Sequence, residues 1–335
     1  MGNRRGTLDT VTIRDEQAHE AASMYYLQGH TMDTIARTLD ISRSSVSRLL
    51  TYARETGLVR ISLAASPSLK GTLAGQISEL FDVQVSVVPT YEAASEVDRL
   101  HNVALAAADL LMGMLRPGAV LGIAWGNTTA EITRCMPSIY VPGSTVVQLN
   151  GAATATESGM PYADAIIARA ARAIGATMVN FPVPAFFDYV ETKRQLWREQ
   201  SIQTVLKTID RCTVALFGVG SMSSRLPSHV YAGGFLDPDE IAAVQKDGVV
   251  GDVCTVLIRE DGSTDMALNE RASGPRPEAL RTIPRRLCVV SGASKALPLL
   301  GALRTGAATD LVLDDRAARE LLELVHTRAT APTAV

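Results

Sequence analysis

Residues 31–50 read TMDTIARTLDISRSSVSRLL, and this stretch decides how the chain is to be understood. Ile35, Ala36 and Leu39 fall on one face of a short helix. Val46, Leu49, Leu50 and Ala53 fall on one face of a second, at the i, i+3, i+4, i+7 spacing of an amphipathic helix. Asp40, Ile41 and Ser42 make a tight connection between them. Ala36 is small enough for the helices to cross closely, and Ser42 is placed to cap the second helix. Many such turns have Gly where Asp40 stands, because the backbone turns left-handed there; Asp tolerates that conformation better than most residues. Arg43, Ser44, Ser47 and Arg48 point outward, with Ser42 and Ser45 beside them. Side chains of these types hydrogen-bond base edges and phosphates. The pattern predicts a helix-turn-helix that docks in a DNA major groove. A hairpin buried in a core would not need arginines and serines along one exposed face.

Working outward, residues 1–12 read as a frayed end and 15–28 as a preceding helix. Gly57 ends the second helix of the motif. Residues 58–63 (LVRISL) alternate as a short strand in the position of a wing. Residues 64–71 (AASPSLKG) read as a linker. The expected organisation is therefore a winged DNA-binding domain over 1–63, a linker over 64–71 and an effector domain over 72–335.

The 335 residues suit two cores better than one. The net charge of −3 would exclude a general DNA-coating protein. Locally, however, residues 37–60 hold five arginines against Asp40 and Glu55, a balance of +3. A small basic head on an acidic body suits a specific regulator. No apolar run reaches the roughly 18 residues of a membrane span, and no export signal is read, so a cytoplasmic protein is expected. Cys135, Cys212, Cys254 and Cys288 have neither metal-ligand spacing nor a disulfide framework, and the five histidines are scattered. The spacing implies no metal and no cofactor.

Beyond residue 71 strands and helices alternate. Strands are expected at 83–88, 120–124, 145–149, 178–183, 213–219, 253–258, 287–291 and 310–313. The last three helices but one include a single long helix over 192–209, one over 238–246 and one over 295–304; a final helix covers 315–324. This is the pattern of an α/β doubly wound domain. In such sheets ligands sit at the carboxyl ends of the strands, beside helix N-termini. Four loops have suitable chemistry. Residues 122–129 (GIAWGNTT) run from a strand through Gly126 and Asn127 to Thr128 and Thr129 at a helix start, which is either an anion cradle or a plain capped turn. Residues 148–151 end a strand with Asn150 and Gly151. Residues 216–221 put Gly218 and Gly220 after another. Residues 291–295 place Lys295, one of only five lysines, at a helix start. Asp247 and Asp252, flanking Gly248 and Gly251, are candidate acceptors for sugar hydroxyls in a loop.

Taken together, the 31-residue N-terminal motif segment, LGIAWGNTT, ALFGVGSM, KDGVVGDV and VVSGASKALPLLGALRTG occur in an order that resembles the SorC family of sugar-responsive bacterial transcriptional regulators, over nearly the full length. The resemblance implies an effector domain similar to the sugar-phosphate isomerase, glucosamine-phosphate deaminase and CoA-transferase superfamily. It also implies a double-stranded DNA operator, a small carbohydrate effector and a homo-oligomer, dimer or tetramer. By the same resemblance, Gly126, Asn127, Thr128, Thr129 and Lys295 take ligand-phosphate positions and Asp247 contacts sugar hydroxyls. Some relatives hold an aldehyde through a mid-domain lysine; here no lysine lies between Lys70 and Lys193. An unphosphorylated sugar or polyol is therefore open as well. The competing expectation is a sugar-phosphate isomerase or deaminase carrying a DNA-binding head. That would need a positioned base such as Asp247 or Asp252, with no histidine in the same loops.

Overall fold

The computed structural model describes residues 5–56, 58–59, 72–91, 93–152, 159–222 and 228–330, and it divides into two compact units, residues 1–65 and 66–335. In the first unit, helix α1 (Arg5–Ala22) runs into a π-helical turn (Ser23–Leu27). Helices α2 (Met32–Thr38) and α3 (Arg43–Glu55) follow. Backbone that was expected to fray is thus helical from Arg5. Ala18, Ala21, Ile35, Val46, Leu50 and Ala53 form this unit's core. Leu58 and Val59 form a bend and no strand. Gly57, the rest of the expected wing at 60–63 and the linker at 64–71 lie outside the described residues.

Asp40 takes the left-handed conformation, with φ of 52°, that the turn requires. Ser42 caps α3: its hydroxyl accepts from the Ser45 N–H at 3.1 Å. A Cβ-branched side chain is strained in this backbone, whereas glycine is not. Asp40→Val is expected to destabilise the unit by about 1–2 kcal/mol and Asp40→Gly to leave it as stable or slightly more so. Thermal unfolding of the two variants checks this, and equal melting temperatures would remove the argument.

The second unit is built on a seven-stranded sheet with order β1-β9-β8-β5-β2-β3-β4, parallel throughout. Its strands are β1 (Gln84–Val88), β2 (Val120–Ile123), β3 (Thr145–Gln148), β4 (Thr177–Val179), β5 (Val214–Gly218), β8 (Arg285–Val290) and β9 (Asp310–Asp314). The central strands are buried on both faces, which is why they read as unbroken apolar runs. Alternate residues feed two cores. Val214, Leu216, Leu287 and Val289 enter one; Ala215, Phe217, Cys288 and Val290 enter the other. The chain goes from β2 to β3 in one direction along the sheet and from β5 to β8 in the other. The carboxyl ends of β2 and β5 therefore form a topological switch point.

Three expectations fail here. The single strand over 253–258 is instead an antiparallel hairpin outside the main sheet, β6 (Val249–Val253) and β7 (Val256–Arg259). Its two turn residues, Cys254 and Thr255, have φ of 51° and 69°. The helix over 192–209 is two helices, Val190–Leu196 and Gln200–Ile209: the backbone leaves the helical conformation at Glu199, with ψ of 136°, shortly after Trp197, which packs against Phe181 and Phe187. The strand over 178–183 stops at Val179, since the Phe181 N–H donates to the Gln148 side chain instead of continuing the ladder.

Candidate functional site

Two sites follow from these units, one in each. In the first, Arg43, Ser44, Ser47 and Arg48 are all exposed on α3. At 100° per residue they span an arc of about 140°, and Val46, Leu49, Leu50 and Ala53 occupy a separate arc of about 100° facing the core. Arg43 lies 3.5 Å from Asp33, both side chains about two-thirds exposed. Such a surface pair contributes only about 0–1 kcal/mol and leaves the guanidinium available. Ser42 and Ser45 are engaged differently from their neighbours. The Ser42 hydroxyl contacts those of Ser44 and Ser45 at 2.8 and 2.9 Å while capping the helix. Their first task is to shape the helix start that carries Arg43.

In the second unit a cavity opens at the switch point. Gly126, Asn127, Thr128, Thr129, Asn150, Gly218, Gly220, Asp252 and Lys295 all line it. They come from the carboxyl ends of β2, β3, β5 and β8 and from the end of β6. No side chain caps the helix Asn127–Cys135, so its first N–H groups are left to the cavity. Thr129 donates its hydroxyl proton to the Gly126 carbonyl at 3.0 Å, which fixes the loop. Asn127 is held by the Tyr162 hydroxyl at 3.0 Å. The Lys295 loop is fixed by Asp314, whose carboxylate accepts from the Gly292 N–H at 2.6 Å.

The floor of the cavity is Asp252. It is 5% exposed and accepts from the Thr255 N–H at 3.2 Å. Its other oxygen, Oδ1, and the buried Asn150 Oδ1 have no partner within hydrogen-bond geometry among the described residues; the buried Tyr231 hydroxyl, unpaired by the same criterion, stands beside Asp252 and interacts with its carboxylate. Burial raises the Asp252 pKa to about 6, against the lowering effects of the Thr255 N–H, the Tyr231 hydroxyl and Lys295. Burial likewise lowers the Lys295 pKa, and Asp252 counteracts it. Gly220 pairs with Asp252 through backbone bonds at 2.9 and 3.3 Å. A Cβ on Gly220 would fall 1.7 Å from Asp252 Oδ1, so only glycine lets the strand pass so close.

Two expected residues take other roles. Asp247 is not in the cavity: it is exposed and pairs with Arg259 at 2.8 Å. It caps the end of the helix Pro238–Lys246, before β6, whereas Asp252 is the fourth of the five residues of that strand. Asp252 itself stands on a strand and not in a loop. Gly151 supports the site from behind. Its carbonyl accepts from Trp125 Nε1 and its N–H donates to Ser273, both at 2.9 Å, and a Cβ there would meet the Val183 carbonyl at 2.3 Å. Conversely, Trp125, Ser228, His229, Cys254 and Thr255 line the cavity without having been singled out. His229 packs on Tyr162 with centroids 4.7 Å apart, and burial lowers its pKa. A histidine thus does share the cavity with Asp252. None of these positions carries a spacing signal; Trp125 lies in the loop after β2, and the hairpin and a short helix, His229–Ala232, bring in the others.

Comparison with known proteins matches both units. Residues 69–323 match the Sugar-bind family, a sugar-binding domain, and residues 15–56 match the Sigma-70 region 4 family. The chain is similar to the deoxyribonucleoside regulator of Bacillus subtilis, 29% identical over 307 residues, covering 90% of this chain and 96% of that one. It is also similar to the crystal structure of a domain described as "a possible sugar-binding transcriptional regulator" from Arthrobacter aurescens. That match has a TM-score of 0.71 and 45% identity, and covers 77% of this chain and 100% of the domain. The full-length sorbitol operon regulator SorC of Klebsiella pneumoniae has the same fold, with a TM-score of 0.71 at 24% identity, over 92% of this chain and 98% of that one.

Proposed function

The chain belongs to the SorC family of sugar-binding transcriptional regulators, and from that premise we propose that it binds an operator through the outer face of α3 under the control of a small carbohydrate bound at the switch-point cavity. The observation that carries the effector reading is the pair of buried, unsatisfied acceptors, Asn150 Oδ1 and Asp252 Oδ1, lining one cavity with Lys295. A polyhydroxylated ligand brings hydroxyl donors to both acceptors, relieving a penalty of about 1–3 kcal/mol for each buried group. The uncapped helix start and Lys295 are suited to an anionic substituent of the same ligand. Control of DNA binding requires the ligand to prefer one of two states of the protein. Self-association is part of the same reading, since a dimer or tetramer would present paired heads to a repeated operator. The regulated genes would then be those of catabolism of that carbohydrate.

A thermal-shift screen of sugars, polyols and their phosphates tests the reading, followed by operator mobility shifts with each stabilising compound. A compound that raises the melting temperature and changes operator affinity supports it. Stabilising compounds that leave operator affinity unchanged would overturn it. Turnover of a sugar phosphate in the same panel would favour the isomerase or deaminase reading, for which Asp252, His229 and Lys295 now share a cavity. Lys295→Ala is expected to weaken a phosphorylated effector by about 1.5–3 kcal/mol, roughly 10- to 150-fold, and a neutral polyol far less. Equal losses for both would place the phosphate elsewhere.

A further inference from the structure

We infer that His101, Glu131 and Cys135 form a binding site for a divalent transition-metal ion of the zinc class, on the outer surface formed by two packed helices of the larger unit. His101 stands on the helix Glu96–Met114. Glu131 and Cys135 stand on the helix Asn127–Cys135, four residues apart and therefore on one face. Their donor atoms all lie within 4.8 Å of one another. His101 Nδ1 is 2.9 Å from Glu131 Oε1 and 3.9 Å from Cys135 Sγ, so one ring nitrogen faces both a carboxylate and a sulfur. Zinc bond lengths set these edges of a tetrahedron at about 3.4 Å for N to O and 3.6 Å for N to S. The first edge must open by about 0.5 Å and the second close by about 0.3 Å; the third, between the Glu131 carboxylate and Cys135 Sγ, lies within 4.8 Å and must come to about 3.6 Å.

The donor set distinguishes this group from an ordinary surface pair. A histidine beside a glutamate is common, but a thiol facing the same nitrogen adds the soft ligand that selects zinc or cobalt over magnesium or calcium. Three protein ligands leave a fourth position for water, as in an open zinc site. An outer partner is already present. Arg134 Nη1 donates to Glu131 Oε2 at 2.8 Å, while Oε1 faces the histidine. The carboxylate can therefore give one oxygen to a metal and keep the arginine on the other, which orients the ligand. His101 is half exposed, so the ion has a way in. On binding, the metal replaces the thiol proton of Cys135, which leaves to solvent, and takes the Nδ1 lone pair of the neutral His101 tautomer that carries its proton on Nε2.

The two helices also bound the ligand cleft. Asn127, Thr128 and Thr129 line the effector cavity from the start of one, and Glu96 and Leu100 of the other border the adjoining groove that reaches Lys295. A metal would staple together the elements that frame that site.

Titration of the metal-free full-length protein with Co²⁺ tests the inference. One equivalent should bring up thiolate-to-cobalt charge-transfer absorption, and Zn²⁺ should abolish it by displacement. Cys212, Cys254 and Cys288 are buried, so Cys135 is the thiol expected to react with an alkylating reagent in the native state, and Zn²⁺ should slow that reaction. Cys135→Ser should remove the absorption and weaken Zn²⁺ binding at least about tenfold; His101→Ala should do the same. Absence of the charge-transfer band in the wild type would overturn the site, leaving only a hydrogen-bonded surface cluster. A band that persists in Cys135→Ser, or unchanged Zn²⁺ affinity in that variant, would equally overturn it by placing the metal on other ligands.

Discussion

Arg43→Ala is expected to weaken operator binding by about 1–3 kcal/mol, roughly 5- to 150-fold, if the side chain makes a bidentate contact to a base edge. The N-terminal residues of a recognition helix reach furthest into the groove, and Arg43 is the first residue of α3. Its loss should lower the ratio of operator to random-DNA affinity, because a base contact carries sequence information and a phosphate contact does not. The fold should be nearly unaffected, since among the described residues the only ion pair lost is the exposed one with Asp33. Asp33→Ala supplies the opposite arm. It frees the guanidinium and removes a negative charge beside it, so operator binding should tighten modestly, most visibly at low salt. Mobility shifts at one fixed salt concentration, with operator and scrambled duplexes, decide the matter. Unchanged operator affinity in Arg43→Ala would remove this residue from the interface, and a uniform loss on both duplexes would assign it to the backbone.

The features legible in the sequence are those that local chemistry specifies. The left-handed Asp40, the Ser42 cap and the alternation of apolar and polar positions on α3 depend on residues within a few places of one another. The parallel strands are legible for a similar reason: burial on both faces demands an unbroken apolar run such as that of β5. What escapes the sequence is set by distant contacts. The β6–β7 hairpin turns through Cys254 and Thr255, with none of the Gly or Asn that marks a tight hairpin. Thr255 carries a branched side chain at positive φ, a conformation that is strained by about 1–3 kcal/mol. It is held there by its N–H bond to Asp252 and by Gly274, where a Cβ would fall 1.7 Å from the Cys254 carbonyl. Without that hairpin Asp252 reads as a loop residue like Asp247. With it, one of the two carboxylates is buried at the centre of the cavity and the other faces solvent. The metal-ligand cluster is hidden for the same reason, since 30 residues separate His101 from Glu131 and only helix packing joins them.

Asp252 sets stability and ligand binding against each other. Its folded pKa is raised from 3.8 to about 6, principally by burial. Between those values the folded chain holds this proton more tightly than the unfolded chain does. The associated stability is therefore fully present below about pH 4 and is lost as pH rises through about 6. At pH 7 the ionised, buried carboxylate costs the unliganded protein about 3 kcal/mol, two pH units at 1.36 kcal/mol each. Asp252→Asn removes the titration and keeps an oxygen for the Thr255 N–H. The variant should be more stable than the wild type at pH 7 by about 1–3 kcal/mol; the pull of Lys295 is already contained in the raised pKa, and the lower end reflects the cost of burying the new amide N–H groups. Its melting temperature should also change less between pH 4 and 6. At the same time it gives up a charged acceptor for ligand hydroxyls, so effector affinity should fall by about 1.5–3 kcal/mol, roughly 10- to 150-fold. Thermal unfolding across pH 4 to 8, with and without the best ligand from the screen, reads both effects in one experiment. A variant less stable than the wild type at pH 7 would show that the carboxylate is stabilised where it lies. A variant that is more stable and still binds its ligand as tightly would remove Asp252 from the effector contacts.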